Sequence, residues 1–229
     1  MDRDHLRTRW EETRTRIASA TSKYGRPPGS VGLVAISKTH PAGSIRALAE
    51  CGQRDFGENY LQEALPKLAA LADLDVVWHF TGQLQSNKTR AVAEQFAWVH
   101  TLDRERIAVR LNEQRPHHAP SLNVCLQVRL EDEPGKGGIA PAQAFALAQC
   151  VNALPRLKLR GLMCIPPPAD TFEAQRFWFD RLARCRDELA ARNIEIDTLS
   201  MGMSADLEAA IASGATWVRV GTAVFGPRS

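Results

Sequence analysis

Short apolar runs of strand character alternate with amphipathic helical stretches along nearly the whole chain, and this repeat restricts the possible folds more than any other feature. The strand-like runs fall at 31–37, around Asp55 and Phe56, and at 76–80, 97–100, 123–130, 157–164, 196–199 and 216–220. Between them lie helical patterns such as 44–51, 59–71, 104–114, 141–153 and 172–192. Pro141 suits a first helical position, where its missing N–H costs nothing. Repeated β–α units imply parallel strands covered by helices. Eight such strands, short loops and no break in composition point to a closed (β/α)8 barrel of the TIM type, not an open sheet. The first twenty-odd residues read as a further, charged helix with Leu6, Trp10 and Ile17 on one side, stopped by Tyr24-Gly-Arg-Pro-Pro-Gly29. The sequence ends at Ser229, soon after the eighth strand, so this extra helix is expected to close the ring where an eighth helix would lie. No internal repeat, linker or low-complexity tract divides the chain, and a single domain over 1–229 is expected.

Composition narrows the partners. Hydrophobic residues make up 44% of the chain, enough for a sizeable core. The net charge is +3, with Lys and Arg interspersed among Asp and Glu; a nucleic-acid surface would be more segregated. The cysteines Cys51, Cys125, Cys150, Cys164 and Cys185 form no C-x-x-C pair and no metal-ligand spacing with the histidines. Such scattered thiols suit a reducing, cytoplasmic setting, where they are buried as small hydrophobes. The N-terminus lacks the apolar core of a signal peptide, and no apolar run approaches a membrane span. Neither nucleic acid, nor membrane, nor metal is expected as a partner.

In barrels of this kind chemistry collects at the C-terminal ends of the strands. Lys38 stands at the exit of the first strand, where desolvation would disfavour the charged amine and free a nucleophile. Gly221 and Thr222 follow the eighth strand. Ser204 precedes 205–212, a helix whose N-terminus offers N–H donors and a favourable dipole. Loops after the seventh and eighth strands are a frequent phosphate position in this architecture. Taken singly each residue has a plain reading: Lys38 a solvated lysine, Ser204 a helix cap, Gly221 a tight turn. Arg219, inward by period two from Gly221, competes with a structural salt bridge, and His79 with a satisfied core histidine. The stretch 82–88 reads as a polar loop entering a helix, and 131–138 as a charged loop. An imine-forming lysine beside a phosphate cradle suggests pyridoxal 5′-phosphate or a phosphorylated aldehyde substrate. The residues alone do not separate a cofactor protein from a Schiff-base aldolase.

Several motifs are familiar together. Ala35-Ile-Ser-Lys-Thr39, Phe56-Gly-Glu-Asn-Tyr60, Trp78-His-Phe-Thr-Gly-Gln-Leu-Gln-Ser-Asn-Lys88, Leu199-Ser-Met-Gly-Met-Ser-Ala-Asp206 and Val218-Arg-Val-Gly-Thr-Ala-Val-Phe-Gly226 resemble the pyridoxal phosphate homeostasis protein family, also called the YggS or PROSC family. The resemblance runs from the N-terminal helix to Gly226. It implies an alanine-racemase-like barrel of fold type III carrying pyridoxal 5′-phosphate, without the racemase's C-terminal β domain. By resemblance, Lys38 is the lysine that forms the internal aldimine. Ser204, Gly221 and Thr222 are phosphate-binding positions, and Arg219 faces the pyridine nitrogen. Asn59 belongs to a motif near the cofactor, and Lys136 to a loop linked to cofactor exchange. Thr81 departs from the family, where an apolar residue is expected.

The resemblance therefore implies a protein that holds the cofactor on Lys38 for intracellular homeostasis, with pyridoxal-phosphate-dependent apo-enzymes as candidate recipients. A racemase needs a second acid/base group, commonly a tyrosine from a second domain; this chain has only Tyr24 and Tyr60. A weak racemase using Tyr60 or His79, and a cofactor-free class I aldolase, are the alternatives. A monomer is expected, because no long apolar face is left over once the core is assigned.

Overall fold

The computed structural model of the protein describes residues 3–131 and 137–227. Eight parallel strands close into a barrel in chain order. They are β1 (Gly32–Ile36), β2 (Asp55–Glu58), β3 (Val77–Phe80), β4 (Trp98–Leu102), β5 (Leu122–Gln127), β6 (Leu157–Met163), β7 (Thr198–Ser200) and β8 (Trp217–Val220). The ring is sealed by β8 against β1, in register from Gly32 opposite Trp217 to Ala35 opposite Val220. Helices α2 (Ala42–Glu50), α3 (Leu61–Ala70), α4 (Thr89–Gln95), α5 (Glu105–Gln114), α6 (Ala144–Asn152), α7 (Phe172–Ala190) and α8 (Leu207–Ala212) follow successive strands. A four-residue turn of helix, α9 (Thr222–Phe225), ends the described chain and was not foreshadowed by periodicity.

The extra N-terminal helix, α1 (Arg3–Lys23), does close the outer ring as its sequence suggested. Its buried residues Leu6, Trp10, Thr13, Ile17 and Ala20 recur at three- and four-residue steps, so one stripe faces inward. That stripe packs between α8 and α9 on one side and α2 on the other. Arg16 fastens α1 to α8 by a two-pronged pair with Glu208 at 2.9 and 3.0 Å. Trp10 donates its indole N–H to Gln53 at 2.9 Å, and the Gln53 amide donates to the Leu33 and Asp55 carbonyls. The same glutamine thus ties α1 to the starts of β1 and β2.

Two cores result from the alternation along each strand. Leu33, Ala35 and Phe56 belong to the apolar layer between sheet and helices. Inside the barrel, a separate small cluster holds Trp98, Cys125 and Met163. Around it lie buried polar side chains: His79, His100, Ser200 and Arg219. TIM-barrel interiors are usually filled by branched aliphatic residues. This lumen instead carries a polar column, which needs a hydrogen-bond partner at every position.

The seam between β5 and β6 shows how finely the barrel closes. Register shifts there, from Val124 opposite Leu159 to Cys125 opposite Gly161, so Arg160 is the extra residue of a bulge. The bulge lays the Arg160 guanidinium over the Trp98 ring at 4.8 Å and lets it bond Asp197. A Cβ on Gly161 would lie 1.8 Å from the Thr198 carbonyl oxygen, inside the β6–β7 ladder. Among the described residues no helix is long and apolar enough to cross a membrane. Gly161→Ala is expected to lower the unfolding free energy in urea by about 2–3 kcal/mol, because backbone rather than a pliable side chain must give way. A loss under ~0.5 kcal/mol would show that the seam relaxes freely.

Candidate functional site at the barrel mouth

The C-terminal ends of β1, β2, β3, β7 and β8 build the site. At the end of β1, Ser37 is locked by a buried cluster. Glu58 Oε1 accepts from Ser37 Oγ at 2.6 Å and from Lys67 Nζ at 2.8 Å, while Lys67 Nζ also donates to the Ser37 carbonyl at 2.9 Å. Burial pushes the Glu58 carboxyl up, and the bonds from Lys67 and Ser37 pull it back. Glu58 Oε2 is buried with no hydrogen-bond partner described. Such a cluster is expensive to bury unless its geometry is well satisfied, and here it fixes the backbone immediately before Lys38.

The chain then turns sharply. Thr39 sits at φ 67°, left-handed backbone that a β-branched residue rarely adopts. Its N–H donates to Glu63 Oε2 at 3.0 Å, and the next side chain, His40, stacks on Phe225 at 4.7 Å. Held backbone of this kind collects at functional sites because the surroundings over-determine it. Lys38, half-buried, is therefore presented by a turn fastened on both sides.

Asn59 leaves β2 under a similar constraint. Thr81 Oγ1 donates to Asn59 Oδ1 at 3.1 Å. A Cβ on Gly82 would fall 1.9 Å from the Asn59 carbonyl oxygen, so only glycine lets these loops meet. The departure at Thr81 thus has a task, since an apolar side chain would leave that Asn59 oxygen unheld.

Across the mouth, α9 begins directly after Gly221. The amides of Val224 and Phe225 are spent on the Gly221 carbonyl, whereas Ala223 N–H donates to Ser204 Oγ at 3.3 Å. A hydroxyl and the leading amides of a helical turn are the donor set that an anion takes. Gly221 itself has φ −107°, so backbone conformation does not demand glycine; an added Cβ would rest 3.4 Å from the Ile36 carbonyl oxygen. The glycine that conformation does demand is Gly202, at φ 96°, where a Cβ would press 2.6 Å from the Ala210 Cβ. Thr222 is exposed at the start of α9.

Arg219 lies in the lumen below this cradle, buried. Its Nη1 donates to Ser200 Oγ at 2.9 Å and its Nη2 to the Cys164 carbonyl at 2.9 Å. Among the described residues Arg219 makes no salt bridge, and the guanidinium has N–H groups beyond these two. From Ser200 the polar column descends. Ser200 Oγ is 2.7 Å from His100 Nδ1, His100 Nε2 is 2.8 Å from His79 Nδ1, and His79 Nε2 is 2.9 Å from Asp55 Oδ1. The neighbouring Cys125 and Cys164 thiols are pushed up to about 12 by burial, so they stay protonated and inert. Among the described residues no group of acidic, histidine and cysteine side chains is placed to hold a metal.

Comparison with known proteins decides the family. An alanine racemase N-terminal domain profile matches residues 2–229. The chain is 58% identical over 213 residues to the pyridoxal phosphate homeostasis protein of Pseudomonas aeruginosa, covering 93% of this chain and 91% of that one. It is 50% identical over 220 residues to the protein of the same name from Escherichia coli K12, covering 95% and 94%. The chain belongs to the pyridoxal phosphate homeostasis protein family. Among solved structures, PipY of Synechococcus elongatus PCC7942 with PLP bound superposes with a TM-score of 0.81 at 42% identity, over 92% of this chain and all (100%) of that one. Alanine racemase from Corynebacterium glutamicum, at 16% identity and a TM-score of 0.70, shares the fold; this chain covers 62% of it.

Of the residues singled out in the sequence, Lys38, Asn59, Ser204, Arg219, Gly221 and Thr222 all stand at or just inside the strand exits of one barrel end. Two expectations change. Ser204 does not cap α8: the helix begins at Leu207 with Asp206 before it, and Asp206 Oδ1 accepts from Met203 N–H at 2.5 Å. Ser204 is turned toward Ala223 instead. His79 is not open to a substrate, because both ring nitrogens are engaged deep in the lumen. Lys136 lies outside the described residues. Missed altogether were Glu58 and Lys67, paired between the end of β2 and α3, and His100, Ser200 and Asp55, whose pairing depends on register between strands.

Burial pushes His79 below the usual imidazole range and His100 well below it, with His79 and Arg219 adding to the effect on His100. Unfolded, both rings titrate near ~6.5. Below that pH the unfolded chain binds protons that the folded chain refuses, so stability is complete above it and falls as pH drops. Each ring adds to that slope, by at most ~1.4 kcal/mol per pH unit, wherever it is protonated only in the unfolded chain. Urea unfolding measured from pH 7 down to about 5 should show this decline, and His100→Asn should flatten its slope by at most ~1.4 kcal/mol per unit. An unchanged slope would mean that His100 is charged in the native state.

Proposed function

We propose that this chain binds pyridoxal 5′-phosphate at the barrel mouth, covalently through Lys38, and takes part in keeping the intracellular supply of that cofactor. The observation that carries this reading is the convergence on adjacent strands β7, β8 and β1 of a phosphate-type cradle, a buried guanidinium and a fastened lysine. The donor chemistry fits the group. Ser204 and the leading amides of α9, with Gly221 and Thr222, would take the phosphate; Arg219, which can only donate, would meet an unprotonated pyridine nitrogen. Asn59, held by Thr81, would line the ring. The name of the relatives and the PLP-bound neighbour support the same assignment.

When bound, the cofactor supplies a reactive aldehyde and an electron sink, and a ring whose nitrogen stays unprotonated is the weaker sink. The chain's own residues favour holding over turnover. Tyr60 is 55% exposed before α3, and His79 is sealed in the lumen, so neither stands as a buried second base. We further read residues 1–229 as one cofactor-binding domain, working as a monomer in the cytoplasm and handing the cofactor to apo-enzymes that depend on it. The five unpaired thiols suit that compartment.

Purified protein is expected to absorb in the near-ultraviolet and visible range of bound pyridoxal 5′-phosphate, and borohydride reduction should fix the label on Lys38 in peptide mass mapping. Lys38→Ala should weaken binding by at least roughly tenfold, about 1.4 kcal/mol, yet keep residual affinity through the separate phosphate cradle. A protein that stays colourless and unlabelled with added cofactor overturns the reading. Labelling confined to another lysine moves the site.

A further inference from the structure

We propose that His79 and His100 are positioning residues for Arg219, forming with Ser200 a one-directional hydrogen-bond relay through the barrel that is anchored on Asp55 at its opposite end. This rests on the reading above that Arg219 meets the pyridine ring. The direction of every bond follows from donor inventory. A guanidinium has no acceptor, so Ser200 Oγ must accept from Arg219 Nη1. The single hydroxyl hydrogen of Ser200 is then free to point at His100 Nδ1. That nitrogen is bare because a neutral His79 that gives its one N–H to Asp55 must accept at Nδ1 from the Nε2–H of a neutral His100. A neutral His100 with a bare Nδ1 carries its hydrogen on Nε2 and donates to His79 Nδ1, which must be bare in turn. His79 then carries its hydrogen on Nε2 and donates to the Asp55 carboxylate.

All four bonds therefore run from the cation toward the carboxylate, and each polarises the next. Reversing the His79 tautomer sets N–H against N–H between the rings, and reversing the His100 tautomer sets two bare nitrogens against each other. Adding a proton to His100 turns an N–H toward Ser200 and places a second cation beside Arg219. Burial holding both rings in their neutral form agrees with this arrangement. Aromatic rings wall the histidines: His79 stacks on Trp98 at 5.4 Å, and Trp217 tilts over it at 5.5 Å. With the Ser200 oxygen held as an acceptor and the Cys164 carbonyl on the other terminal nitrogen, the guanidinium plane is fixed from two sides. The N–H groups not spent on these two bonds are the ones left for a group bound at the mouth.

Nitrogen-15 NMR of the cofactor-free protein reads the relay directly. Expected for both rings at neutral pH is a bare Nδ1 and a protonated Nε2, with a scalar coupling across the bond between the rings. A cationic ring, or hydrogen on either Nδ1, overturns the relay. Its consequence is read with pyridoxal 5′-phosphate loaded. His100→Leu removes the acceptor of the Ser200 hydroxyl and should shift the absorption band of the bound cofactor while weakening binding about tenfold. His100→Asn, whose amide oxygen can stand in for Nδ1, should restore most of both. Ser200→Ala, which removes a hydroxyl without enlarging the lumen, should reproduce the His100→Leu shift even where that variant folds poorly. Unshifted bands and unchanged affinity in folded His100→Leu and Ser200→Ala would show that the relay positions nothing. Failure of borohydride to label Lys38 in the parent protein would instead remove the cofactor reading, with the NMR result deciding the relay by itself.

Discussion

A guanidinium buried inside a barrel, bonded to neutral oxygens, sets the terms for the rest of this structure. Desolvating such a cation costs several kcal/mol even after relaxation. Arg219 meets that cost with the Ser200 hydroxyl and the Cys164 carbonyl, and the lumen beneath has to continue the bonding. An aliphatic interior would leave Ser200 with one partner and nothing further to polarise it. Hence two histidines, a serine and an aspartate occupy positions that barrels of this kind commonly fill with Val, Ile or Leu. The apolar work moves outward, to the layer between sheet and helices and to α1, which packs against α8, α9 and α2.

The same economy of partners shapes the mouth. Ser37 accepts and donates within the Glu58–Lys67 cluster, Thr39 is held in left-handed backbone by Glu63, and His40 reaches across to Phe225. These contacts connect the β1 exit to β2, α3 and α9, so the lysine and the anion cradle share one rigid frame. Ser204 belongs to that frame as well, through Ala223 in α9 and through its carbonyl, which accepts from Arg16 of α1 at 3.2 Å. The helix that closes the ring thus also braces the cradle. Precision of this sort comes from supporting contacts as much as from the residues that would touch a ligand.

How much of this was legible in the sequence depends on the range of the interaction. Periodicity located all eight strands, because alternation is a local property, but β5 stops at Gln127 rather than 130 and β7 begins at Thr198 rather than 196. The start of α8 was misplaced by two residues because Ser204 and Asp206 are both good caps. Neither side chain caps it: Asp206 Oδ1 accepts from Met203 N–H, and Ser204 is drawn to Ala223, nineteen residues away. Lys38, Arg219 and the Gly221 turn stood out because their chemistry is unusual at a strand end. His100 and Ser200 did not, since a histidine and a serine on short strands look ordinary until register brings them together across 100 positions. Thr81 looked like a blemish in the motif and proves to be the donor that holds Asn59.

The opposite end of the barrel gains a meaning from the column that reaches it. Conservation of stability is the usual business of the strand-start face, and function that of the strand-end face. Here Asp55, at the start of β2, opens into a cavity of ≈ 610 Å³ walled by Trp10, Arg14, Gln53 and Trp217. Its carboxylate is the negative end of a chain of hydrogen bonds whose positive end is Arg219. Moving a charge at either end changes the polarisation of every bond between. The two faces are thereby joined by one hydrogen-bonded column that runs the length of the lumen.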